Sequence, residues 1–192
     1  MLTNLDGPPA ADAGPAPQPE GRRRRRWAFL AAALLGAAAD QTGKAWAVAR
    51  LQHAPGQRIG FGPLSFELSR NPGAAFGLGR GLTPWITAFS LAVVIGLCYA
   101  GAVRGTRARV WALTLGLITA GAAGNVVDRF ARSPGPGRGA VVDWIKVPFY
   151  GPVFNLADVF LRGGILLALV LVAREGFRGH GAREGFRGRR AG

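Results

Sequence analysis

The chain predicts an α-helical integral membrane protein with four transmembrane helices and a small β-element on the outer surface. Three observations carry this. There are four apolar stretches of near-spanning length, arginines are gathered at alternate ends of them, and aspartates sit at their edges. The 192 residues are 49% hydrophobic and include 30 glycines, a composition that suits one membrane domain.

The first apolar stretch runs from Trp27 to Ala39 and continues past a polar break, Asp40 to Lys44, as far as Ala49. A basic run before an apolar core also resembles a secretory signal, but the polar break and the lack of a small-residue cleavage pattern favour an uncleaved helix. Residues 50–81 come next. Within them Arg58 to Leu68 alternates apolar and polar residues, which reads as a small β-element broken by glycine and proline. Leu82 to Val103, Val110 to Val127 and Val153 to Ala173 are the other three stretches. Each approaches the roughly 20 residues that cross a hydrocarbon core of about 30 Å. Between the last two, Ala140 to Ile145 reads as a short apolar element returning to the membrane. The expected domain is 27–175, with basic disordered cytoplasmic tails at 1–26 and 176–192. The second tail carries the sequence AREGFRG twice, at 173–179 and 182–188.

A net charge of +14 raises the possibility of nucleic acid, and the position of the charge argues against it. Fourteen of the 24 basic residues flank the predicted inner helix ends: Arg22 to Arg26, then Arg104, Arg107 and Arg109, then six arginines from Arg174 onward. The positive-inside rule then puts both termini and the 104–109 loop in the cytoplasm.

Counted from those inner ends at about 1.5 Å per residue, Asp40 lies about 20 Å along its helix, Asp128 about 27 Å and Asp158 about 22 Å. Asp143 falls in the loop before the fourth span. Four carboxylates thus gather near the outer interface, where their cost makes them a candidate site. Alone, Asp40 or Asp128 reads as a helix-boundary residue, and Asn71, Asn125 and Asn155 as loop or cap residues. The aromatic residues Trp144, Phe149, Tyr150 and Phe154 read as an interfacial belt. The set together reads as a site.

Nucleophilic catalysis has little support, because the four serines share no motif with the two histidines or with Lys44 and Lys146. Cys98 is alone in a span, where it reads as a small buried hydrophobe. No histidine pair has ligand spacing, so no metal and no cofactor are expected, although clustered carboxylates can hold a hard cation. A pair of aspartates sharing one proton can cleave amides unaided. Asp40 has Lys44 one turn away and so suits an ion pair. Asp143 and Asp158 suit the acid–base pair better, with Arg162 four residues after Asp158 able to hold it ionised.

Five blocks in order then resemble the lipoprotein signal peptidases, the membrane aspartyl peptidases also called signal peptidase II. They are Asp40-Gln41-Thr42-Gly43-Lys44, Asn71-Pro72-Gly73-Ala74-Ala75-Phe76, Gly124-Asn125-Val126-Val127-Asp128-Arg129, Val141-Val142-Asp143-Trp144 and Phe154-Asn155-Leu156-Ala157-Asp158. The resemblance implies four helices, an extracytoplasmic β-cradle, and removal of signal peptides from prolipoproteins that carry diacylglyceryl on cysteine. It implies Asp143 and Asp158 as the catalytic dyad. Asp40, Lys44, Asn71, Gly73, Asn125, Asp128, Arg129, Asn155 and Ala157 would bind substrate or support the site, with Asn71 and Arg129 as donors to substrate carbonyls. The expected partners are lipid-modified prolipoproteins and membrane lipids. The expected location is a bacterial-type cytoplasmic membrane, with the site near its outer face.

Two positions depart from the family pattern. Gly43 stands where the family usually has threonine, and Trp144 where it usually has phenylalanine. An ion-coupled transporter is the alternative reading of intramembrane aspartates, but the chain lacks the internal repeat or paired broken helices that it requires.

Overall fold

The computed structural model describes residues 19–53, 59–73 and 80–188. Residues 1–18 and 189–192 of the expected tails, together with Ala74, Ala75 and Phe76 of the second block, lie outside the described residues. Among the described residues there are four α-helices: α1 (Pro19–Leu51), α2 (Thr83–Cys98), α3 (Arg109–Ala131) and α4 (Leu156–Gly188). Strands β1 (Ile59–Phe61), β2 (Leu64–Asn71) and β3 (Val141–Lys146) make one antiparallel sheet in that order.

Among the described residues three helices are long and apolar enough to cross a membrane: α2 extended by a π-helical turn to Arg104, α3, and α4 as far as Gly176. α3 is the central one and packs against the other three. Half of its apolar window is buried, against 11% for α2 and for α4, so the latter two present most of their apolar surface outward. Small residues let α3 take this place. A Cβ on Gly121 would strike the Ala157 carbonyl and Leu161, and one on Gly124 would meet the Asp40 carboxylate and Ala157. Such close approach is how helices pack where lipid removes any hydrophobic drive between them.

The helix ends differ from the sequence reading at both tails. α1 starts at Pro19, so residues 19–26, expected to be disordered, are helical. Proline suits a first helical position. The arginines that follow also have partners. Arg26 donates to the Val103 carbonyl at 2.9 Å, and Arg22 donates to the carbonyls of Val103 at 3.2 Å and Arg104 at 3.4 Å. These are acceptors that the end of a helix leaves open. α4 likewise runs on through Gly188, across most of the expected 176–192 tail, in a segment with no proline to stop it.

The alternating segment, expected as a small β-element, forms a β-hairpin. Gly62 and Pro63 make its two-residue loop, with Gly62 at φ 59°, a value that glycine adopts without strain. β2 then pairs with β3, aligning Ser69 with Asp143 and Asn71 with Val141, with an irregularity between Phe66 and Ser69. This sheet docks on the end of α1. Trp46, Phe66 and Trp144 meet with ring centroids 5.5 Å apart, over Ala47, Leu51 and Ile145. Trp144 is therefore a core residue, 9% exposed, and not part of an aromatic belt. The alternation of the strand that carries it turns its side chain to the face opposite Asp143.

Candidate active site

Asp143 lies midway along β3 and Asp158 in the first turn of α4, so two separate elements bring the carboxylates together. Asn155 joins them. It precedes α4, and its Oδ1 accepts the backbone N–H of Asp158 at 2.9 Å, the bond a helix cap makes. Its Nδ2 donates to Asp143 Oδ1 at 2.7 Å. One fully buried amide thus fixes the start of the helix and the strand carboxylate at once. Asn125, from α3, donates to Asp158 Oδ1 at 3.3 Å. The side chain of Asn71 hydrogen-bonds Asp143 from the third side.

Beneath this layer lies a buried ion cluster. Lys44 Nζ is 2.7 Å from Asp40 and 2.9 Å from Asp128, and all three side chains are fully buried. Lys44 also donates to Asn125 Oδ1 at 3.0 Å, which ties the cluster to the dyad layer. Each aspartate holds a backbone N–H of a block beside a dyad residue. Asp40 accepts from Ala157 at 2.8 Å, and Asp128 accepts from Val142 at 3.0 Å. The Asp40–Lys44 pair follows from its spacing, whereas its extension to Asp128 crosses between helices. Two contributors escaped the sequence reading. Arg132 Nε is 2.6 Å from Asp128, an i,i+4 pair that the spacing alone could have flagged. Gln41 donates to the Gly124 carbonyl at 2.9 Å, a backbone contact that leaves no sequence signal.

Arg129, which the resemblance implies as a donor to substrate carbonyls, is also held by the protein's own backbone. Its guanidinium is 5% exposed and engages three backbone carbonyls, those of Asn71 at 3.1 Å, Gly139 at 2.9 Å and Gly73. A planar fork with five donors suits this bridging, and it braces the 71–73 segment against the turn before β3. Gly73 in turn donates its N–H to Asn71 Oδ1 at 2.9 Å, which fixes the amide that reaches Asp143. Arg162, about half exposed, sits 3.9 Å from the less exposed Asp158, a long contact that bears only loosely on that carboxylate.

Both carboxylates line a cavity of about 580 Å³, bounded by the 69–73 segment, α2, α3 and the start of α4. Ile86, Val126, Val153 and Leu161 make its walls apolar, while Asn71 and Asn125 add polar groups beside the dyad. Such a volume falls within the range of small-molecule binding clefts. Among the described residues no group of three or more His, Cys, Asp or Glu side chains is placed to hold a metal ion.

Burial pushes the Asp143 carboxyl from the ordinary 3.8 up to about 7, and the charge of Asp158 adds to the rise. Hydrogen bonds from Asn155 and Asn71, and the charge of Lys44, oppose it. Asp143 therefore keeps its proton well above the pH at which a free aspartate loses it. Between about pH 4 and about pH 7 the folded chain holds a proton that the unfolded chain has lost, so this group's contribution to stability falls as pH rises through that window. Asp143→Asn should remove that loss. Thermal melts at pH 5 and pH 8 are expected to show the variant gaining on the wild type at the higher pH, and a constant difference would contradict the assignment.

The two departures from the family pattern touch each other. A Cβ on Gly43 would lie 2.7 Å from Cζ2 of Trp144, so the indole occupies the space that a side chain at position 43 would need. Gly43→Thr should overpack this contact and cost about 1–3 kcal/mol. Trp144→Phe in the same chain should recover most of that loss. A double-mutant cycle by thermal unfolding checks the coupling, and additive effects would refute it.

Residues 32–174 match the signal peptidase (SPase) II family. The chain is 42% identical over 157 residues to the lipoprotein signal peptidase of Rhodococcus jostii, covering 81% of this chain and 76% of that protein. It is also 42% identical over 176 residues to the one from Mycolicibacterium smegmatis, covering 89% and 73%. A bacterial membrane enzyme solved by the in meso method at 2.3 Å superposes with a TM-score of 0.66 at 26% identity, over 77% of this chain and 88% of that one. A paired-carboxylate cavity among apolar helices agrees with a match that covers every block of the site, and the chain belongs to the signal peptidase II family.

Proposed function

We propose that the chain removes signal peptides from diacylglyceryl-modified prolipoproteins, cutting before the lipidated cysteine, with Asp143 and Asp158 as the catalytic pair. The observation that carries this is the single buried amide of Asn155, which bonds the Asp143 carboxyl and the backbone of Asp158 at the wall of one cavity. In this reading Asp158 is the base. It takes a proton from water as the oxygen attacks the scissile carbonyl, and protonated Asp143 donates to the carbonyl oxygen. Collapse of the tetrahedral intermediate returns that proton to Asp143, while Asp158 delivers its own to the departing amine. Asn71, Asn125, Asn155 and the Asp40–Lys44–Asp128 cluster hold the geometry, with Gly73, Arg129 and Ala157 acting through their backbone contacts.

The topology that accompanies this has four transmembrane helices, α1 included. α1 turns Asp40 and Lys44 inward and leaves Trp27, Leu34 and Leu35 more than 60% exposed, the pattern of a lipid-facing helix with a polar inner edge. Both termini would be cytoplasmic and the sheet extracytoplasmic, in a bacterial-type cytoplasmic membrane. The membrane domain would then be 27–175, with its helices continuing into both basic tails. A lipid-modified cysteine at the cavity mouth would confine the substrate to the membrane surface and leave its signal helix beside α2 and α4.

The test is cleavage of a diacylglyceryl prolipoprotein by the purified protein in lipid. The lipidated precursor should be cut before its cysteine, and a precursor with that cysteine replaced by serine should stay intact. A chelator should change neither result. A folded protein that cuts neither precursor, or that stops when metal is removed, would overturn the proposal.

A further inference from the structure

A second cavity lies at the end of the bundle opposite the aspartates, and we propose that it holds an anionic phospholipid. Its volume is about 430 Å³, between the π-helical turn after α2, the 105–107 loop, the start of α3 and α4. Asp158 and Glu175 are 17 residues apart on α4, which separates this cavity from the dyad by about 25 Å, most of one hydrocarbon thickness. It therefore sits at headgroup level when the dyad sits at the other face.

The lining is divided as an amphiphile requires. Arg104 and Arg107 stand at the mouth, and neither guanidinium is engaged by a carboxylate among the described residues. α3 starts beside them with no side-chain cap, so the positive end of its dipole adds to the field. Arg22 and Arg26 add their charge next door, where they hold the carbonyls of Val103 and Arg104. The one acid on the lining, Glu175, is pinned to the wall by the Trp111 indole N–H at 2.7 Å, leaving two facing cations against one anion.

The deeper wall is apolar, made by Ala100, Leu115 and Val172. Beyond it Tyr99 and Leu169 are each more than half exposed, which offers apolar surface for acyl chains along α2 and α4. A soluble anion would use the arginines and leave this wall bare. A headgroup phosphate with two chains uses both, and basic pockets between transmembrane helices on the cytoplasmic side bind such headgroups.

The proposal rests on the topology above and is read separately from cleavage. Native mass spectrometry of the full chain in detergent, titrated with phosphatidylglycerol and with phosphatidylcholine, measures the preference. A basic residue near an anionic lipid surface contributes roughly 1 kcal/mol, or about fivefold each, so the wild type should prefer phosphatidylglycerol by about tenfold or more. Arg104→Gln with Arg107→Gln should bring the two lipids to within about twofold. The corresponding lysine pair should keep the preference, and so should Arg23→Gln with Arg24→Gln, which removes equal charge away from the cavity. Inorganic phosphate at 10 mM should not displace the lipid. Equal loss in the Arg23/Arg24 variant, an unchanged preference in the Arg104/Arg107 glutamine pair, or displacement by phosphate would each overturn the proposal. Cleavage of lipidated precursor by the same variants reports on the peptidase reading alone.

Discussion

Asp143→Asn and Asp158→Asn should each lower kcat for cleavage of the lipidated precursor by about 10³-fold or more, with KM little changed and the fold retained. The magnitude follows from what each carboxyl supplies. General acid–base catalysis by one positioned group is worth about 10²–10⁴-fold, and here each group acts in both steps of amide cleavage. The retained fold follows from the local bonding. Asn155 Nδ2 donates to Asp143 Oδ1, and asparagine at 143 keeps an oxygen there to accept it. Asp158 accepts from Asn125 through one oxygen, which its amide also keeps. The two substitutions together should cost scarcely more than either alone, because the pair works as one unit and neither half functions without the other. Single-turnover cleavage with thermal melts alongside makes the check. A variant that melts like the wild type and retains a tenth of its rate would remove that residue from the dyad, and multiplicative losses in the double variant would mean the two carboxyls act independently.

Much of this site was legible in the sequence because its chemistry is local in the chain. The aspartates stand out against apolar surroundings, the spacing of Asp40 and Lys44 is one helical turn, and the alternation from Arg58 to Leu68 reads as a small β-element. What could not be read is what crosses between elements. That Lys44 also neutralises Asp128, at 2.9 Å, depends on how closely α1 meets α3, and glycines such as Gly124 set that approach. That Arg129 also engages three backbone carbonyls could not be read, because every residue has a carbonyl and no sequence pattern marks those three. The tails misled for a related reason. Composition alone marks Arg22 and Arg26 as solvated, yet each finds a carbonyl about 80 residues away. Trp144 read as an interfacial aromatic until Gly43 proved to be the neighbour that admits its ring.

Lys44→Met should destabilise the protein more than any other single change at the site, by about 3–5 kcal/mol. The lysine is fully buried between two fully buried carboxylates. Without it Asp40 is left with no cation and Asp128 with Arg132 alone, so the buried pair must take up a proton or admit water. Either response loosens a bond that matters to the dyad, because Asp40 holds the N–H of Ala157 and Asp128 that of Val142. Activity should therefore fall together with stability. Charge balance separates the ion-pair account from simple packing loss. Adding Asp40→Asn to Lys44→Met removes one stranded charge while keeping an oxygen for Ala157, and should regain part of the loss. Asp128 still has Arg132 at 2.6 Å as a second cation, so the remaining carboxylate is not left alone. If the double variant melts below Lys44→Met, the stranded-charge account fails and the lysine stabilises mainly by filling space. If it melts above, the cluster is what sets Asp143 and Asp158 at their working separation, since its two aspartates reach the backbone of both elements that carry them.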